Sequence, residues 1–559
     1  MSNPEPGDEE GQAPRGSGLG RASALLASGT LVSRILGFVK AIVLAATLGQ
    51  VASAAGDAFA LANQLPNNIY ALIAGGVLGA VLVPQIVRAG LHHDGGQAFI
   101  NKIVTLGTSV FIAIALAATL AAPLFVALYA QLGSGDGRGL SQEGIALATA
   151  FAYWCLPQVL FYALYSLLGE VLNARKAFGP FTWAPVLNNV VAIAGLIAFS
   201  LLFGGAEANS DVDVWDAGRI ALLAGSATLG VAAQALVLVL FWRRAGLSFK
   251  PDFRWRGVGL GRTGKAAGWV FGMILVTQVA GLFQSNVALQ AAGQGASLFA
   301  LQNSWLIFML PHSVIAVSIA TAYFTRMSGH ASTGNLAGVR EDVSSSLRTI
   351  GLFITFSSVA LIVVAFPFAR VFEPAFAGVS DMALVIMAFS IGLVPFSAVF
   401  VMQRVFYSLE DTRTPFFVET AKAGLFILGA LACTLLPVQW IGVGIALVTT
   451  AACVLQTVLT FILLRRKLGP IGGRMLLRRH TQYLLAAVLA GAVGAGLLVL
   501  LGGFSADGFA QSGRIAALVA IAVTGIAMAA VYLGVLLMMR NPDANTAIAS
   551  ATRRLRRRR

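Results

Sequence analysis

Between Ala22 and Gly49 the chain runs 28 residues with Arg34 and Lys40 as its only charges. About 20 apolar residues, rising 1.5 Å each as a helix, cross a bilayer. A stretch this long is therefore a membrane span before it is anything else. Such stretches recur along the chain. Windowed hydropathy predicts about 14 of them, near 22–49, 59–88, 100–129, 143–171, 181–203, 217–242, 265–291, 297–325, 346–372, 381–407, 415–436, 440–464, 480–502 and 513–539. A helix pairs all its backbone polar groups within its own segment, which lipid requires. The fold class expected is an all-α polytopic membrane protein.

Composition agrees. Of 559 residues, 57% are hydrophobic and 11% charged, with mean hydropathy +0.82; no soluble globular class fits. The net charge of +15 would suit a nucleic-acid binder, but its placement does not. Basic residues collect in alternate short loops (Arg175, Arg243, Arg254, Arg326, Arg413, Arg474) and in the tail from Arg553 to Arg559. The intervening loops hold Glu207, Asp213, Glu373 and Asp507. This is the positive-inside pattern, and it predicts both termini in the cytoplasm and an even number of spans, with no nucleic-acid partner. The polar leader Met1–Gly20 lacks an apolar core ahead of a cleavage site and reads as a disordered tail, not a signal peptide. Cys155, Cys433 and Cys453 lie in apolar runs without metal-ligand spacing.

The chain repeats itself. Phe59-Ala60-Leu61-Ala62-Asn63 returns as Phe299-Ala300-Leu301-Gln302-Asn303, and Asn173 through Pro180-Phe181 is answered by the stretch from Tyr407 to Pro415-Phe416. The offset holds six spans. An even number keeps both copies in one orientation, so the repeats are parallel about an axis along the membrane normal. The expected organisation is a tail at 1–21, a six-helix bundle at 22–243, a linker at 244–264, a second six-helix bundle at 265–467, two extra helices at 468–539 and a basic tail at 540–559. Two such bundles enclose a central cavity opening alternately to each side, which is transporter architecture. The linker, with Phe253 and Trp255 among basic residues, reads equally as an interfacial connector or a solvated segment.

Polar residues inside the spans mark the candidate site. Arg34 sits about 18 Å along the first span, where a cation costs roughly 2.5–3.5 kcal/mol and needs a partner or a watery cavity. Lys40 stands farther on, as a cavity ligand or as a lysine snorkelling to the interface. Asp57 either gates by pairing with a cation or caps the following helix. Asn63, Gln64, Pro66 and Asn67 put amides and a breaker into the second span, to line a cavity or to satisfy a broken backbone. Gln284, Asn286 and Asn303 supply polar groups in the second half. Glu419 and Lys422, three apart, can pair on one helix face. No nucleotide, metal or nucleophile motif occurs, so neither an enzyme activity, a cofactor nor a metal is expected, and energy comes by elimination from the membrane potential or an ion gradient.

Ser33-Arg34-Ile35-Leu36-Gly37-Phe38-Val39-Lys40, Asp57-Ala58-Phe59 and Leu65-Pro66-Asn67 resemble the start of the MurJ/MviN lipid II flippase family. The run from Arg404 to Pro415, RVFYSLEDTRTP, is similar to that family's second signature, and Leu172-Asn173 with Ala184-Pro185 and Asn188 adds a third. The resemblance covers about 22–540. It implies the fold of the multidrug/oligosaccharidyl-lipid/polysaccharide exporters, a bacterial plasma-membrane location, and export of the undecaprenyl-pyrophosphate-linked peptidoglycan precursor from inner to outer leaflet. It implies further that Arg34 and Lys40 are cavity cations. Arg34 would hold a diphosphate through its planar fork, or pair structurally with Asp57 or with helix carbonyls. The chain departs from the family at Tyr70-Ala71 and near Trp305–Leu306, where arginines are usual, so its cavity is expected to be less basic than the family's; polar groups in place of cations in the second half concentrate the expected charge in the first. Gly37 is a point where the first span can bend. Arg404, Tyr407, Asp411, Arg413 and Pro415 read as a turn locked by an Asp–Arg pair, or as a gate. The partners implied are a lipid-linked oligosaccharide and membrane lipids. Other readings are a non-transporting scaffold bound to cell-wall synthesis proteins, and an exporter of another lipid-linked oligosaccharide or of small molecules.

Overall fold

The computed structural model describes residues 17–73, 97–130, 138–175, 177–244, 246–254 and 264–556. The first half comprises α1 (Ser17–Leu48), α2 (Ala54–Ile73), α3 (Gln97–Leu120), α4 (Ala122–Ala130), α5 (Gln142–Cys155), α6 (Gln158–Ala174), α7 (Phe178–Phe203) and α8 (Ala217–Arg244). The second comprises α9 (Gly264–Leu289), α10 (Leu298–Pro311), a π turn at His312–Ala316, α11 (Val317–Ser332), α12 (Leu336–Val363), α13 (Ala365–Phe372), α14 (Phe376–Ile391), α15 (Leu393–Ser408), α16 (Arg413–Cys433) and α17 (Val438–Leu468). After these come α18 (Gly473–Leu500), α19 (Arg514–Met538) and α20 (Pro542–Arg556).

Twelve helices among the described residues are long and apolar enough to cross a membrane, or 13 if the bent pair α14–α15 is one span. The expected 14 is not reached among them. The span expected at 59–88 is described only to Ile73, as the polar helix α2; Gly75, Gly76 and Gly79 lie outside the described residues, as does Trp255. The first helix starts at Ser17, inside the expected tail. Within the expected basic tail, Pro542–Arg556 form α20, whose start is capped by Asn541, which accepts from Asp543 N and Ala544 N. Its Asp543 is held by Arg348 at 3.0 Å and by the Tyr483 hydroxyl at 2.8 Å.

The repeat in sequence is a repeat in packing. In the first half α1 packs on α7, α7 on α8, α2 on α5, α3 on α6 and α6 on α8. The corresponding helices of the second half make the same pairs: α9 on α16, α16 on α17, α10 on α14, α12 on α15 and α15 on α17. Close approach relies on small residues, as lipid offers no hydrophobic drive between helices. A Cβ on Gly230 would stand 2.8 Å from the Asn188 carbonyl oxygen, and one on Gly429 2.6 Å from Val448. Each half breaks the same span: Pro157 separates α5 from α6, and a 41° bend at Gly392 separates α14 from α15. Proline removes a helix hydrogen bond, which localises the first break. The described part of the linker, residues 246–254, lies along α3, where Gln97 donates to Ser248 O at 2.6 Å and Asn101 accepts from Lys250 N at 3.3 Å. α18 and α19 pack together against α12 and α13.

Candidate functional site

The two halves meet along a polar seam that begins where α1 turns into α2. Ser53 Oγ accepts from Gly56 N at 3.0 Å and so caps α2 locally. The carboxylate of Asp57 is thereby released for another role. Its Oδ1 accepts from Phe299 N at 2.9 Å, in the first turn of α10, whose own N-cap Ser297 makes no side-chain cap bond. An acceptor at an orphan helix amide, placed at the positive end of the helix dipole, is a strong contact. Asp57 thus caps the helix of the opposite half, not its own, and is 2% exposed.

Around this bond the halves are stitched further. Asn303 Nδ2 donates to Gln50 Oε1 at 2.7 Å, Ala52 N to Gly295 O at 3.2 Å, and Val51 N to Glu373 Oε2 at 3.1 Å. Glu373, in the loop before α14, also accepts from Ala375 N at 3.0 Å. Burial pushes its carboxyl above the ordinary carboxylate range, and these amide bonds and Arg370 offset part of the rise. Deeper, Gln302 Nε2 donates to Gln64 Oε1 and Gln64 Nε2 to Ser285 Oγ, each at 3.0 Å. Asn286 Nδ2 donates to Leu128 O at 2.9 Å.

Arg34 is the deepest of these links. Its Nη1 donates to Ser313 O at 2.7 Å, in the π turn that follows Pro311. A π turn disturbs the regular carbonyl ladder, and here one carbonyl is taken from outside. Arg34 lies about 21 Å from the end of α1 at Leu48. The Arg34 side chain is exposed. Among the described residues no ion pair joins Arg34 to Asp57, whose Oδ1 accepts from Phe299 N instead.

Lys40 is neither snorkelled nor turned to the other half. It lines a cavity of about 60 Å³ inside the first bundle with Asn63, Gln158, Tyr162 and Asn188. α1 continues unbroken through Gly37, which stands against Asn189; the Asn189 amide donates to Ser33 O at 2.9 Å. Pro66 is buried within α2, Asn67 is exposed and Gln284 half-buried. Asn173 lies in the last turn of α6.

At the Arg-rich end the expected Asp–Arg lock is corrected. Asp411 pairs with Lys467 at 2.6 Å and accepts from Thr414 N at 2.9 Å. Burial alone would raise its carboxyl; these partners bring it below the ordinary range. Arg413 lies over Trp269 and Phe417, and Arg404 over Phe400 at 4.3 Å. Tyr407 ends α15, Glu410 takes a positive φ of 57° as the chain leaves that helix, and Pro415 is buried in the first turn of α16. Between α16, α17 and α9, Glu419 binds Lys422 at 2.8 Å and accepts from Gln456 at 2.6 Å.

Sequence reasoning missed Gln50, Gln302 and Ser313. Gln302 is an amide inside the repeated segment and Gln50 an amide just past the end of α1; Ser313 contributes only backbone and carries no residue-type signal. Among the described residues no group of three His, Cys, Asp or Glu could hold a metal ion.

Comparison with known proteins adds to this geometry. Residues 44–538 match the family model described as lipid II flippase MurJ. A probable lipid II flippase MurJ of Haemophilus influenzae is 25% identical over 458 residues, 77% of this chain and 83% of that protein. One from Rhizobium tropici is 27% identical over 83% of this chain and 84% of its own length. A solved lipid II flippase MurJ in an inward closed conformation superposes with TM-score 0.69 at 19% identity, covering 92% of this chain and all of that one. An inward-facing multidrug resistance MATE transporter of the MOP superfamily gives 0.60 at 16% identity over 80% of this chain and 98% of its own. The two structures share the fold.

Proposed function

The chain belongs to the MurJ family of lipid II flippases, and from that premise we propose how it works. It is a multi-pass membrane protein that moves lipid II between leaflets. We propose an alternating-access cycle in which the seam around Asp57 is the closed outer gate and the Arg-rich end opens to the cytoplasm, with both termini on that side. The observation that carries this is that the bonds described between the halves gather toward one end, among them Gln50–Asn303 and, deepest, Arg34–Ser313.

In this reading Arg34 receives the diphosphate. A cation at this depth is costly unless neutralised. A single neutral carbonyl, that of Ser313, is its described partner, and a diphosphate offers a charged, bidentate replacement. Exchange of the Ser313 carbonyl for phosphate oxygens would release α1 from the π turn, coupling substrate binding to movement of one half against the other. Lys40 supplies positive potential from behind, within the first bundle. The protein is a transporter without chemistry of its own, and the membrane potential or an ion gradient drives it. Scaffolding of cell-wall synthesis proteins and small-molecule export are not favoured, since the family and the relatives it matches carry the lipid II flippase description.

The test is replacement. A bacterium depleted of its own lipid II flippase should grow when supplied with this chain, and lipid II should reach the outer leaflet. Growth failure with normal abundance of the chain would refute lipid II as substrate.

A further inference from the structure

On the Arg-rich side of the second half, α15, α17 and the start of α18 enclose a groove of about 1240 Å³. Its walls are apolar, with Val394, Ala398, Met402, Val454 and Phe461 among them. Along α17 the groove extends from Arg465 back to Val454, about 17 Å at 1.5 Å per residue. That is about one leaflet of a roughly 30 Å hydrocarbon core. The groove is therefore deep enough for the acyl chains of one lipid and too shallow to cross the membrane.

The mouth is built for an anion. Arg465 and Arg474 line it, and no ion pair is described for either. α18, 28 residues long, begins there just after its N-cap Gly472, which has φ 73° and no side chain to cap the helix. The first amides of a helix lack internal acceptors, and together with the helix dipole they favour a phosphate. A second observation points the same way. Ser344, 8% exposed, has a hydroxyl without any hydrogen-bond partner. That hydroxyl lies 3.6 Å from where a Cβ on Gly472 would be, so the uncapped helix start and the orphan donor share one spot. Arg340 approaches the same turn, 3.5 Å from the Cβ position of Gly469.

We infer that this groove binds one anionic glycerophospholipid, its acyl chains between α15 and α17 and its phosphate at the start of α18 between Arg465 and Arg474. The site lies outside the seam between the halves and is separate from the transported lipid. A lipid here would join α18, and through it α19, to the second bundle.

The experiment uses the purified full-length chain in detergent with equal amounts of phosphatidylglycerol and phosphatidylcholine, and retained lipid is counted by native mass spectrometry. One phosphatidylglycerol is expected, favoured about tenfold or more, as a charge-assisted contact of about 1.4 kcal/mol gives. Arg465→Gln with Arg474→Gln should erase that preference. Val454→Trp, at an exposed position, should exclude the lipid while both arginines remain. Equal retention of the two lipids would overturn the inference. So would displacement by inorganic phosphate, which would mean an anion site only, or stoichiometric displacement by undecaprenyl phosphate, which would assign the groove to the substrate. Unchanged retention in both variants, with wild-type elution on gel filtration, would equally refute it. Export itself is read separately, by the depletion assay.

Discussion

Arg34 donates to the backbone carbonyl of Ser313 across the two halves at 2.7 Å. No carboxylate is described as pairing with it, so a charged group rests against a neutral dipole. A hydrogen bond to a charged group contributes about 1.5–3 kcal/mol, and a bidentate diphosphate would exceed a lone carbonyl. Arg34→Ala is expected to lower outer-leaflet lipid II by about tenfold or more while the protein still accumulates. Arg34→Lys should rescue only in part, since a point charge lacks the planar fork. The measurement is outer-leaflet precursor alongside protein level; full export by the alanine variant would remove Arg34 from the mechanism.

Asp57 and Phe299 give a separable prediction. Loss of a helix cap costs about 0.5–2 kcal/mol, which here falls on closure of one end and not on folding of α2, whose cap is Ser53. Asp57→Ala should shift the population toward a separated outer end by up to about 30-fold. Asp57→Asn keeps an acceptor and should stay near wild type. Spin labels at Asp213 and Leu435, both exposed on the same end, would report the distance between halves. Identical distributions for all three proteins would show that this bond does not hold the gate.

Glu373 makes the same closure sensitive to pH. Burial raises its carboxyl above the ordinary 4.5 in the closed form, against the pull of the Ala375 and Val51 amides and the nearby Arg370 guanidinium. When the end separates, the group returns to water and its ordinary value. The closed form therefore binds the proton more tightly. Closure should strengthen as pH falls through the raised value, saturate below about 4.5 and lose the contribution as pH rises through the raised value. Glu373→Gln should flatten the pH profile of the label distance. A profile that weakens on acidification would contradict the sign.

Much of this was legible beforehand. Spans follow from apolar length, and the repeat of Phe59–Asn63 at Phe299–Asn303 marked two segments that meet in space, with Asp57 at their seam. What stayed hidden has a common cause: backbone groups and long-range partners carry no residue signature. The acceptor of Arg34 is a backbone carbonyl within a π turn. Asp57 reaches Phe299 N because Ser53 has already capped α2, a competition that spacing cannot reveal. Asp411 sits two residues from Arg413 but pairs with Lys467, 56 positions away, because Arg413 lies over Trp269 instead. Lys40 faces inward because the α1–α7 contact, with Gly37 on Asn189, sets the rotation of α1.

Orientation has its own check. The loop at Asp213 and the start of α18 at Arg474 should lie on opposite sides of the membrane, Arg474 inside, by the distribution of Arg and Lys. Reporter fusions at the two positions should give opposite activities. Matching activities would require a different span count.

Glu419 and Lys422 test whether a buried charge pair serves transport or only structure. Their side chains are 10% and 23% exposed, and Glu419 is also bonded to Gln456. Removing one partner of a buried pair costs about 3–5 kcal/mol, because the other charge is left uncompensated, whereas replacing both with uncharged groups of similar volume is often neutral. Lys422→Met should therefore reduce abundance and thermal stability. Glu419→Gln combined with Lys422→Met should restore both, since Gln at 419 can still meet Gln456. Export by the double variant then decides the role. Wild-type export with unchanged dependence on the ion gradient makes the pair structural. Export lost at normal abundance makes the charges part of the coupling between the gradient and the movement of α16 against α9 and α17.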